Sequence, residues 1–170
     1  MRYRNRQSGF SLIEVLVATV ILAVGILGIA GLQVVSLQQN RSALLRSEGL
    51  QIGSDILDRM RANPTEDYSG IAFGDEPPAA EDCNDPAANC TTAEMMEFDQ
   101  AIWLCSIDPV DPDDGTIFPI CTTLGVTVGA LPGGEGRITV DADGVHEVAV
   151  RWVDDGDGNF GNIRLRTRAD

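Results

Sequence analysis

Residues 9–14 read Gly9-Phe10-Ser11-Leu12-Ile13-Glu14, and they open directly onto Val15 to Leu32, VLVATVILAVGILGIAGL, eighteen residues without a charge. No charge follows until Arg41. A run of this length spans a bilayer as a helix. Before it stand Arg2, Arg4 and Arg6, whose positive charge keeps that end cytoplasmic and sends the remainder across the membrane. A secretory signal has a shorter apolar core followed by a small-residue cleavage site. Here the run continues instead into a helical pattern. Glu14 is the exception within it, a carboxylate one turn into an apolar helix. At headgroup depth it is simply hydrated; deeper, ionisable residues in membrane segments are expensive and serve a function.

Outward from this segment the composition changes. The chain has 170 residues, and its mean hydropathy near zero averages an apolar N-terminus with a polar remainder. All twelve bases are Arg against 26 acids, a net charge of -14, and from Ala62 to Gly136 there are fifteen Asp or Glu and no Arg. Such a balance repels phosphate and excludes a nucleic-acid binder. Cys83, Cys90, Cys105 and Cys121 all lie in the acidic half. An even number facing an oxidising compartment implies two disulfides. Three pairings are open, Cys83 with Cys90 and Cys105 with Cys121 being favoured because nearest-neighbour closure suits loops; free thiols or a zinc site are the alternatives, the latter disfavoured by the lack of any Cys-x-x-Cys pair.

Beyond Leu32, Leu37, Leu44, Leu45, Ile52, Ile56 and Met60 recur at three- and four-residue steps, which predicts one helix from Phe10 to Ala62 burying a stripe on a globular domain. Asn63-Pro64 stops it. Gly25, Gly28 and Gly31 make a smooth face for close helix contact, or are glycines merely tolerated in a membrane span. Arg59 and Arg61 are placed to cap the last carbonyls and offset the helix dipole. Thr65 to Pro119 is rich in turn residues, with one short helix over Ala93 to Leu104 behind the capping-box pattern Thr91-Thr92-Ala93-Glu94. After Gly136 the period becomes two. Arg137 to Val140, Val148 to Trp152 and Asn162 to Arg168 form a three-stranded antiparallel meander with turns at Asp143-Gly144 and Asp154 to Asn159.

Asp155, Asp157 and Asn159 copy the first alternating oxygens of a calcium loop, but the twelfth position is Arg166, so an EF-hand is excluded and only a loop-type Ca²⁺ site is left. No other cofactor is indicated. His146, the only histidine, reads as a strand residue near a turn. No phosphate loop or nucleophile motif is present, and nothing supports an enzyme.

Gly9 to Glu14 followed by VLVA resembles the class III signal of type IV prepilins and pseudopilins. That resemblance implies that a prepilin peptidase cuts between Gly9 and Phe10, that Phe10 is N-methylated, and that Glu14 is retained for assembly, pairing with the Phe10 amine of a neighbouring subunit. The segment Asp58-Arg59-Met60-Arg61-Ala62-Asn63-Pro64, following AVGILGIAGLQ at Ala23 to Gln33, resembles the PilV-type minor pilins, the type IV pilus modification proteins. The implied plan is α+β and pilin-like, a long N-terminal helix packed on a small antiparallel sheet with disulfide-containing loops. It divides as a leader over 1–9, a transmembrane half-helix over 10–34, an amphipathic half over 35–63 and a periplasmic globular domain over 64–170. The implied place is the inner membrane, single-pass, and the pilus after assembly. Implied partners are minor and major pilins, prepilin peptidase, the inner-membrane assembly machinery and the membrane; implied effects are on pilus priming, adhesion and twitching motility. The alternatives are a minor pseudopilin of a type II secretion system and a membrane-tethered Ca²⁺-binding adhesive module.

Overall fold

The computed structural model describes residues 9–85, 87–154 and 158–168. Its elements run α1 (Leu12–Ala62), α2 (Thr92–Ile107), α3 (Pro119–Thr123), β1 (Glu135–Val140), β2 (Val145–Val153) and β3 (Phe160–Arg168). The chain divides into two units, residues 1–41 and 42–170.

In the first unit, α1 contains no Pro, and every residue from Gly9 to Arg41 is exposed. The 51-residue helix is long and apolar enough at this end to cross a membrane. Leu37, expected in the buried stripe, belongs to this exposed set.

In the second unit, Leu45, Gly49, Gly53, Ile56, Leu57 and Met60 of α1 are buried. Their three- and four-residue spacing puts them on one face. Ile52 is partly buried, but Leu44 is 60% exposed, so the stripe runs through Leu45 alone of that pair. The shift has a cause that lies far away in sequence. A Cβ on Gly49 would stand 2.9 Å from the Trp152 ring, and one on Gly53 would stand 2.9 Å from Leu165 Cδ1 and 3.0 Å from Ile163 Cδ1. The two glycines therefore give the sheet a bare strip of helix to sit on. Gly161 bears on the same indole, 2.5 Å from a hypothetical Cβ, so Trp152 lies between two glycines.

The sheet has the order β1-β2-β3, antiparallel throughout, with Ile138 opposite Val148 and Val148 opposite Leu165. Val148, Val150 and Trp152 are buried on the inner face with Ile138 and Ile163, as the period-two pattern predicts. The outer face carries ion pairs: Arg151 to Glu135 at 2.6 Å, and Arg137 and Arg166 both to Glu147. Arg151 also lies 4.3 Å from the Phe73 ring centre and 5.0 Å from that of Phe160, a cation-π arrangement that covers part of this face. At the first hairpin Gly144 takes φ +74°, while Asp141 Oδ1 accepts the amides of Asp143 and Val145. His146 is the second residue of β2.

Helix α2 begins at the expected capping box. Thr91 N–H donates to Glu94 Oε2 at 2.7 Å, and Glu94 N–H donates to Thr91 Oγ1 at 3.3 Å. It ends at Ile107 rather than Leu104, because Cys105 and Ile107 are also buried. Disulfides join Cys83 to Cys90 and Cys105 to Cys121, the nearest-neighbour pairing. The second ties α2 to α3, a five-residue helix that the turn-rich sequence concealed and that starts on Pro119.

Candidate functional site

Gly9 and Phe10 precede α1 without regular structure, and Phe10 is 83% exposed. The Ser11 carbonyl accepts the amides of Glu14 at 3.0 Å and Val15 at 3.3 Å, which places Glu14 in the first turn. A negative charge is favourable there, next to the unsatisfied amides of the helix start. The spacing Ser11-x-x-Glu14 repeats Thr91-x-x-Glu94, yet only the second pair closes into a capping box. The Glu14 carboxylate makes no hydrogen bond or ion pair with any described residue. Phe10, Glu14, Ala18 and Leu22 line one shallow apolar face, with Val15 and Thr19 beside them. The one hydroxyl in it is satisfied internally, Thr19 Oγ1 donating to the Leu16 carbonyl at 2.8 Å. The structure thus places Gly9 and Phe10 immediately before an apolar helix and Glu14 in its first turn. A Cβ on Gly25, Gly28 or Gly31 meets nothing within 4 Å. Chemically the arrangement offers association: an uncompensated carboxylate beside a large apolar surface, and no nucleophile.

Residues 4–30 match the family of the prokaryotic N-terminal methylation motif, and residues 31–101 match the family described as type IV pilin Tt1218. The chain is type IV pilin-like. Its motif and exposed apolar helix fit membrane anchoring and incorporation into a pilus, and the pilin family assembles with other pilins and the pilus machinery. No curated protein and no solved structure matches the chain.

The other end of the pilin-like helix carries the second set of motif residues, and there geometry corrects the sequence reading. Arg59 and Arg61 do not cap carbonyls. Arg59 donates from Nε to Asp55 and from Nη1 to the buried Asp99 of α2, both at 2.8 Å, while Arg61 donates to Asp58 and, at 3.2 Å, to Thr167 of β3. Carboxylates are charged acceptors and outcompete carbonyls for a guanidinium. Tyr68 donates to the second Asp99 oxygen at 2.7 Å, and Asn63 donates to Tyr68 Oη and to the Thr92 carbonyl. Burial of Arg59 alone would lower its pKa, but the hydrogen bonds to Asp99 and Asp55 outweigh it and the net direction is upward. Burial, then the Asp99 hydrogen bond, pushes the Tyr68 phenol up. The Asp58 to Pro64 segment is therefore a clamp that fastens α1 to α2. Its partners lie forty positions away at Asp99 and 106 away at Thr167, beyond the reach of local spacing.

Of the calcium-loop residues, Asp155 and Asp157 lie outside the described residues, as do Arg2, Arg4 and Arg6. Asn159 is described, and its carbonyl accepts the Asp154 amide at 2.9 Å. Among the described residues no three His, Cys, Asp or Glu side chains gather as a metal site.

Proposed function

We propose that the chain is a minor pilin of the PilV type, cut after Gly9, methylated at Phe10, and held in the inner membrane by residues 10–34 until it joins or primes a pilus, with its globular domain in the periplasm. The observation that carries this reading is the Glu14 carboxylate, without a partner among the described residues at the head of a helix whose apolar side chains up to Arg41 are all exposed. An isolated charge in an apolar interior is costly, and an amine released at Phe10 of an adjacent subunit neutralises both. Cleavage before the apolar run removes three arginines and keeps the anchor. Neighbouring helices then supply the burial that this unit lacks alone.

Intact mass of the membrane-extracted chain tests the processing: the expected species begins at Phe10 with one added methyl group, and a chain beginning at Met1 or cut after Ala30 refutes it. A deletion strain tests the assignment. Loss of surface pili with normal secretion supports a minor pilin; normal pili with failed secretion moves the chain to the pseudopilins.

A further inference from the structure

The two edges of the sheet differ among the described residues. On the far side of β1, Ile138 bridges to Ile71 and accepts the Gly70 amide. On β3, nine residues long, no backbone hydrogen bond reaches any described residue except those of β2. Arg164, Arg166 and Arg168 are exposed on alternate positions of this strand, and so on one face of it. They are a third of the nine arginines outside the N-terminal stretch of an acidic chain. Arg166 is engaged by Glu147 and Arg168 reaches only the Asp143 carbonyl, at 3.3 Å. Arg164, opposite the small Ala149, has no hydrogen bond or ion pair among the described residues.

The other face of the edge is bordered by α1. Arg61 contacts Thr167, and Ser54 and Leu50, seven and eleven positions earlier, fall within about 20° of Arg61 around the helix. Leu50 is 42% exposed. An extended segment laid along β3 therefore meets arginines on one face, a free backbone ladder in its plane, and an apolar side chain on the other face.

We propose that the β3 edge is the docking site for an extended acidic segment of a different filament subunit, which adds as a fourth strand with carboxylates at alternate positions facing Arg164 and Arg168. Strand addition draws its affinity from main-chain hydrogen bonds and its selectivity from alternate side chains. Arginines on an edge deter indiscriminate pairing, and here they select a strand of opposite charge. A second copy is not the occupant. Its exposed acidic stretch carries Pro77-Pro78, which lack the donors a ladder requires, and copies carrying -14 each repel. The identity of the partner as a filament subunit rests on the pilin reading; the chemistry of the edge does not.

The test uses the full chain in detergent and a labelled peptide alternating Glu with Val over the length of β3. Expected are saturable binding by fluorescence anisotropy, weakening as salt rises, and slower amide exchange in residues 160–168. The combined substitutions Arg164→Glu and Arg168→Glu should weaken binding about tenfold. A Gln-for-Glu peptide should bind as weakly, and a peptide N-methylated along its ladder-facing amides should not bind, two controls that leave the protein's fold untouched. Equal binding of the Gln or N-methylated peptide, binding without protection of β3, or β3-dependent self-association in place of peptide binding each overturns the proposal. None of these outcomes bears on cleavage at Gly9, which the mass measurement decides separately.

Discussion

Gly28 and Gly53 lie on the same helix, yet a methyl group added at Gly28 meets nothing within 4 Å and one added at Gly53 presses on Leu165 and Ile163. Carboxylates divide the same way. Glu14 has no partner among the described residues, whereas Asp99 accepts both Arg59 and Tyr68. From Gly9 to Arg41, residues that normally seek burial or a counter-charge have neither; from Ser42 onward most have both. The first unit thus leaves its apolar groups and its carboxylate unsatisfied among the described residues, while the second satisfies most of its groups internally.

The sharpest way to break this contrast is Glu14→Ala. The globular unit should fold unchanged, as judged by its disulfides and circular dichroism, while the chain disappears from sheared filaments. If filament content is unaltered, the acid has no assembly role.

Next in size is Asp99→Ala, which leaves Arg59 and Tyr68 without their buried acceptor and should cost about 3 kcal/mol in denaturant unfolding. Asp55→Ala removes the exposed partner of the same arginine and should cost no more than about 0.5 kcal/mol. The Tyr68 shift gives this pair a pH signature. Because the phenol is pushed upward, stability is fully present below the ordinary tyrosine range near pH 10 and is lost as pH climbs beyond it. That alkaline loss should be smaller in Asp99→Ala, which lacks the acceptor.

Gly53→Leu should destabilise by about 1 to 3 kcal/mol through overpacking against β3, and Gly28→Leu should leave the unfolding of the globular unit unchanged. The smallest effect separates the two Ser/Thr-x-x-Glu starts. Thr91→Ala should cost about 1 kcal/mol by opening the capping box; Ser11→Ala should cost nothing measurable in the same unfolding curve. Equal losses from both would mean that Ser11 and Glu14 close a box in solution after all.

Much of this was legible because it is local. The charge-free run, the Thr91 to Glu94 box and the alternation of Val148, Val150 and Trp152 each declare their structure within a few residues, and the cysteines paired with their neighbours. The rest depends on contacts between distant positions. Gly49 carries no local signal of its role, which is set by Trp152 far along the chain. Arg59 reads as a helix cap until α2 brings up Asp99. Leu44 and Leu45 have the same hydrophobicity, and only the seat of the sheet chooses between them. At the N-terminal site a motif names the residues, but the lack of a partner for Glu14 among the described residues is a property of the three-dimensional fold.

The two cystine bridges differ in accessibility: Cys105 and Cys121 are wholly buried, while Cys83 and Cys90 are half-covered. A small thiol reductant can therefore open the Cys83–Cys90 bond from outside, but must wait for the α2–α3 region to breathe before it reaches the other bond. Alkylation during a reduction time course would then show two phases, the slow one a clock for how often the interior of the globular unit comes apart.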